Sequence, residues 1–247
     1  MVKEIFEHRS IRKYKPDSIP SEIMQSVLEA ASRAATTGNM QVYSIVVTTD
    51  PSIKEQLAPC HFNQPMVKQA PVVLTFCADF NRFMQWCSLR NADAGAYNNF
   101  LSFVTAAIDA LLAAQNACLE AESHGLGTCY LGTTTYTAGK IIDILKLPKG
   151  VVPVTTLVLG YPSEIPPLTD RLPLRAVVHY ETYHDFTDEE IEALYREKEN
   201  RSDSRQFVAE NNKQNLAQVF TDIRYTRKDN TAFSAALLEV LKNQGYM

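Results

Sequence analysis

One stretch constrains this chain more than any other: YNNFLSFVTAAIDALLAAQNACLEAE, lying within residues 95 to 123 and followed by Gly125. Ala and Leu are strong helix formers, and a glycine just past the last turn is a common terminator. The pattern predicts one long helix over 95 to 123. Its central section, FVTAAIDALLAA, is apolar on most sides, so the helix must be covered from several directions, by its own domain or by a partner subunit. A buried dimer helix is the expected answer.

The segments around it read as alternating elements. PVVLTFCADF, 71 to 80, is almost wholly apolar and predicts a strand buried on both faces in mid-sheet. YSIVVTT, 43 to 49, is β-branched and aromatic and is closed by Asp50-Pro51. Further strands are expected at 127 to 132 and 151 to 162. Helices are expected in IMQSVLEAASRAA, behind Pro20-Ser21-Glu22, and around 137 to 146. The order α, β, β, α, β, α, β predicts an α+β or α/β fold. After Pro167 the chain turns polar, and EEIEALYREKENRSDSR reads as a charged amphipathic helix leading into a soluble loop. The end, SAALLEVLKNQGYM, reads as a helix. The chain is thus expected to be a single domain, 1 to 247, with 174 to 247 an excursion that packs on the body or on a partner.

Several function classes are set aside. A net charge of −4 lacks the basic excess of a nucleic-acid-binding domain. The start MVKEIFEHRSIRKYK has no continuous apolar run, and no later one is expected to reach the ~20 residues of a membrane span, so a cytoplasmic protein is expected. Cys60, Cys77, Cys87, Cys118 and Cys129 are odd in number and form no CxxC pair, which argues against disulfides and zinc. There is no GxGxxG, GxxxxGK[ST], GxSxG or HExxH, and no other metal-spaced cluster. His61, His124, His179 and His184 read as ordinary surface or core histidines.

Four clusters remain that could carry chemistry. His8-Arg9-Ser10-Ile11-Arg12-Lys13 suits a phosphate, because Arg forks pair bidentately with phosphoryl oxygens, but it is equally a solvated basic face. Thr36-Thr37-Gly38-Asn39-Met40-Gln41 offers amides that read a heterocycle edge, although loops before strands are polar in most proteins. Gly127 to Thr133, with Tyr130, Leu131 and Gly132, ends a strand in small residues that let a ligand approach the backbone; a tight turn explains the glycines as well. Arg171, in Asp170-Arg171-Leu172-Pro173, is either a phosphate ligand or an Asp-paired structural cation.

In order, these clusters resemble the nitroreductase/flavin reductase superfamily, and within it the NADPH-preferring flavin reductases and oxygen-insensitive nitroreductases. The likeness runs through His8-Arg9-Ser10-Ile11-Arg12, Gln41, FCADFNR at 76 to 82, AAQNACLEAESHGLG at 113 to 127, Tyr130-Leu131-Gly132 and the RLP at 171 to 173. The resemblance implies an α+β fold with a central, mainly antiparallel sheet flanked by helices, and a homodimer with FMN at the subunit interface. It places His8, Arg9, Ser10 and Arg12 on the phosphate and ribityl end, with Arg171. Thr37, Asn39 and Gln41 lie near the polar edge of the flavin with Gln64, and Tyr130, Leu131, Gly132 and Thr133 line the isoalloxazine. Two departures stand out: Thr169 replaces a family Lys, and the loop that binds the NADPH 2′-phosphate in relatives is here Arg201-Ser202-Asp203-Ser204-Arg205.

The implied chemistry is ping-pong hydride transfer from NADPH or NADH through FMN to nitroaromatics, quinones or free flavin, with no catalytic side chain and no metal. Two other readings compete: dehalogenation or flavin fragmentation on the same fold, and a flavin-binding protein without turnover.

Overall fold

The computed structural model describes residues 2–247, which divide into two compact units: the chain up to Leu168 together with Phe233–Met247, and Thr169–Ala232. The first unit is built on four strands, β1 (Tyr43–Thr48), β2 (Val72–Asp79), β3 (Gly127–Leu131) and β4 (Val151–Gly160), in the order β1-β2-β4-β3. Every pairing is antiparallel, with one irregularity in β2 between Phe76 and Cys77. The expected α+β class and the mid-sheet position of β2 both hold.

All eight residues of β2 are buried because helices cover both faces of the sheet. Successive side chains in a strand point to opposite faces. Leu74 and Phe76 of β2, with Leu157 and Leu159 of β4, pack against helices α2 (Ser21–Ser32) and α6 (Phe100–Ser123). Val73 and Val158 face the other way, onto Leu57 of α3 (Pro51–Leu57), Val67 of α4 (Met66–Gln69) and Ile141 of α7 (Ala138–Leu145). A third cluster joins Phe80 and Phe103 to Leu241 and Tyr246 of the C-terminal segment, whose Tyr246 hydroxyl donates to Gly150 O at 2.7 Å.

Helix α6 starts at Phe100 rather than 95: Asn99 caps it by accepting from Ser102 N, and Gly95–Tyr97 forms a separate tight turn. Gly125, at φ +74°, follows its end as expected. Ala106, Ala110, Ala113, Ala117 and Ala121 form the buried stripe, and their small side chains let the helix lie close on the sheet. The opposite side carries Leu101 at 73% exposure, Ile108 at 49% and Leu111 at 47%. Contrary to the expectation of no span-length apolar segment, α6 is by length and composition apolar enough to cross a membrane. Its Ala face nevertheless lies on the sheet, and Asp109 is fully buried at its centre.

In the second unit, α8 (Asp188–Asn200) opens with a capping box between Thr187 and Glu190. The soluble loop expected after it is instead a second helix, α9 (Ser202–Glu210), with Arg201 at the junction. The segment has no Gly or Pro to interrupt the helix, and Arg224 stacks 4.7 Å from the Phe207 ring centroid.

Candidate functional site

The N-terminal basic cluster is built onto the free edge of β3. Ser10 bridges Thr128 in parallel, Ile11 N donates to Thr128 O at 2.8 Å, and the Tyr14 hydroxyl donates to Ile11 O at 2.7 Å. Ile11 lies so close over Gly127 that a Cβ there would sit 2.5 Å from its Cγ1, which is why a glycine opens this strand. Burial of Ile11 fixes the register of its neighbours Ser10 and Arg12. The positive charge of Arg12 reaches Cys129 and Tyr14, opposing the upward push that burial gives both groups.

His8 is turned toward α6, its Nδ1 2.7 Å from Glu122 Oε1, and the Thr128 hydroxyl donates to the same oxygen at 2.7 Å. Cys118 Sγ lies 3.2 Å from Thr128 Oγ1. His8, Glu122 and Cys118 lie close enough to one another to share a cation, and burial pushes the Cys118 thiol up to about 12. Arg9 donates through Nη1 to Glu7 O at 2.7 Å, while its Nε is buried without a partner. Arg9 also lines a cleft of about 210 Å³ with Ile11, Glu122, Gly127 and Pro162.

At the far end of β3 the chain presents backbone. Tyr130 packs in the α6 layer with its hydroxyl donating to Gln115 Oε1 at 3.4 Å, and Leu131 is buried in the opposite layer. A Cβ at Gly132 would meet nothing within 4 Å. Thr133 Oγ1 lies 2.9 Å from His61 Nδ1, and Thr137 donates to Cys60 O at 2.8 Å. These bonds join the 131 to 137 turn to the segment carrying Gln64, whose N–H donates to His61 O at 3.1 Å. His61 is the core histidine that the sequence allowed: it is 1% exposed, and burial lowers its pKa to about 4.

Thr37, Asn39 and Gln41 lie elsewhere, in the turn before β1, on the opposite edge of the sheet. Asp109 of α6 accepts from Thr37 N at 2.9 Å and from Val42 N at 3.4 Å. Arg82, which motif reading left unassigned, donates to Gln41 O and to Tyr43 O, and lines a cleft of about 400 Å³ with Met40, Gln41 and Ser44. Asp109 and Glu122, the two anchors on α6, are about 20 Å apart along its axis. Within one chain, therefore, 37 to 41 and the β3-edge residues do not converge on one ring system. They can do so only if a second copy supplies one of the two sets.

In the second unit Arg171 is exposed and its Nη1 donates to Asp170 O at 2.9 Å. Beside the substituted Thr169, Lys198 pairs with Asp170 at 2.8 Å, so a cation is retained near that position. Arg201 is held bidentately by Asp203, at 3.0 and 2.9 Å, and Arg205 donates to Asn200 Oδ1 at 2.5 Å. Glu122 and Arg82 lie inside motifs that the sequence shows, but their partners, like those of Asp109, are far away in sequence, so no local pattern assigns their roles.

Comparison with known proteins assigns the family. An FMN reductase (NADPH) from Bacillus subtilis is 34% identical over 189 residues, 76% of each chain. An oxygen-insensitive NADPH nitroreductase from Salmonella typhimurium is 36% identical over 190 residues, 77% of each. A crystal structure from Bacteroides fragilis superposes with a TM-score of 0.97 at 53% identity, covering 99% of both chains. The Nitroreductase family profile matches residues 5–161, from the basic cluster to the end of β4, and the chain belongs to that family.

Proposed function

We propose that the protein is a cytoplasmic, FMN-dependent NAD(P)H oxidoreductase that works as a homodimer on small electron acceptors. The observation that carries this reading is the β3 edge. There a buried Arg9 Nε has no partner, Ser10 and Arg12 flank the anchored Ile11, and the space above Gly132 is open. A monophosphate satisfies such an arginine, and a flat ring fits where a side chain is missing. Relatives that act as NADPH-dependent FMN reductases and nitroreductases support the same reading.

Arg9, Ser10 and Arg12 would hold the phosphate end, and His8, braced by Glu122, would add a donor beside them. The backbone at 130 to 132, with Thr133 and Gln64, would face the ring. The exposed Leu101, Ile108 and Leu111 of α6 form the apolar surface that a second copy covers, and that copy brings its Thr37, Asn39 and Gln41 to the shared site. FMN held there would supply two-electron hydride-transfer chemistry between NAD(P)H and nitroaromatics, quinones or free flavin. Arg201 and Arg205 would select NADPH by pairing with its 2′-phosphate, Arg201 exchanging Asp203 for it.

Purified protein is expected to be yellow with one non-covalent FMN per chain, bleached anaerobically by NADPH. Arg12→Ala should weaken FMN binding at least about tenfold, the loss of a charged hydrogen bond. Colourless protein that takes up no FMN overturns the proposal, and bound flavin that NADPH never reduces overturns the enzymatic part.

A further inference from the structure

We propose that Asp109 is a positioning residue for the cofactor, holding the 37 to 42 turn in the one conformation that presents Thr37, Asn39 and Gln41 to the flavin. The inference rests on the FMN reading above. Asp109 is 0% exposed and sits on the buried face of α6, which is mostly alanine. A carboxylate in such a place is costly unless its oxygens find donors, and both do: Oδ1 takes the N–H of Thr37 and Oδ2 that of Val42. The carboxylate therefore grips the turn at its two ends.

Between the two donors Gly38, Asn39 and Gln41 all have positive φ, near +55°. Asparagine tolerates that conformation, but a glutamine such as Gln41 holds it only where its surroundings impose it. Here the imposition comes from Asp109 behind the turn and from Arg82, which donates to Gln41 O. The exposed side chains of Asn39 and Gln41 then point out of the turn and meet each other, Gln41 Nε2 donating to Asn39 Oδ1 at 3.3 Å. Asparagine could not replace Asp109: it offers one oxygen and one NH2 group, so one of the two backbone donors would face another donor. The same carboxylate places negative charge behind the polar edge of the site, which disfavours electron uptake there.

The test uses the FMN-loaded protein and compares Asp109→Asn with Val27→Ala, which opens a cavity in the same core cluster without touching the grip. Both variants should lose thermal stability. Only Asp109→Asn should raise the FMN dissociation constant, by about tenfold, and shift the midpoint potential of the bound flavin to a more positive value. Thr37→Pro provides a second route should Asp109→Asn not fold. Thr36 already has the extended backbone that a following proline needs, and proline deletes the donor that Asp109 Oδ1 accepts. Thr37→Pro should bind FMN about tenfold more weakly than Thr37→Ala, and its effect should not add to that of Asp109→Asn. An Asp109→Asn protein that is less stable but keeps the wild-type dissociation constant and potential overturns the role. So does a Thr37→Pro protein that matches Thr37→Ala. Wild-type protein that binds no FMN overturns the functional reading first, and the role falls with it.

Discussion

Replacing Gly127 by alanine tests how the basic cluster is seated. The new Cβ would lie 2.5, 2.7 and 2.9 Å from Cγ1, Cβ and Cγ2 of Ile11. Carbon atoms rest at about 3.5 Å or more, so the Ile11 segment must retreat by about 1 Å. Ile11 is 4% exposed and its N–H is bonded to Thr128 O, so the retreat strains both packing and hydrogen bond. Overpacking of this kind costs about 1–3 kcal/mol, read as a lower urea midpoint at unchanged slope. Because Ser10 and Arg12 move with Ile11, FMN affinity in the same variant should fall roughly tenfold, as for one lost charged hydrogen bond. Ile11→Gly removes all three of these carbons, so the double variant should be less destabilised than the sum of the singles. A Gly127→Ala protein with wild-type urea midpoint and FMN affinity would refute the claim that Ile11 against Gly127 positions the cluster.

Other expectations are independent of that contact. Burial lowers the His61 pKa from its ordinary 6.5 to about 4, so the unfolded chain binds the extra proton first as pH falls. The stability from neutral His61 is complete above about pH 6.5 and declines toward pH 4, by up to roughly 3 kcal/mol. Urea titrations should show that slope flattened in His61→Asn, and an unchanged slope would contradict it. Leu111→Lys, on the exposed face of α6, should give a monomer by sedimentation, whereas a dimer at micromolar concentration would place the interface elsewhere. Arg201→Ala and Arg205→Ala should lower kcat/KM for NADPH and leave NADH nearly untouched. Equal small effects on both nucleotides would remove these arginines from cofactor choice.

Much of this protein is local and was therefore readable from residue order. The apolar run of β2, the β-branched stretch of β1, the Ala/Leu periodicity of α6 and its Gly125 terminator are each set by neighbours within a few positions. The basic cluster was legible as well, since its charges are contiguous. Periodicity misjudged the stretch after Asn200 because high charge resembles a loop, while nothing in it prevents a helix.

What residue order could not show is which distant groups meet. His8 reaches Glu122 across 114 positions and Thr37 reaches Asp109 across 72. Only the antiparallel order β1-β2-β4-β3 reveals that two motifs expected at one cofactor lie on opposite edges of the sheet. Local propensity is a sum over near neighbours, whereas a buried carboxylate or imidazole is tolerated only where the folded chain brings donors and acceptors to it from afar. The four strands, the long helix and, through the family resemblance, the kind of chemistry were thus legible in the sequence. The placement of Thr37 to Gln41 and of the basic cluster on opposite edges, and the bonds from Thr37 and Val42 to Asp109, were decided by tertiary packing alone.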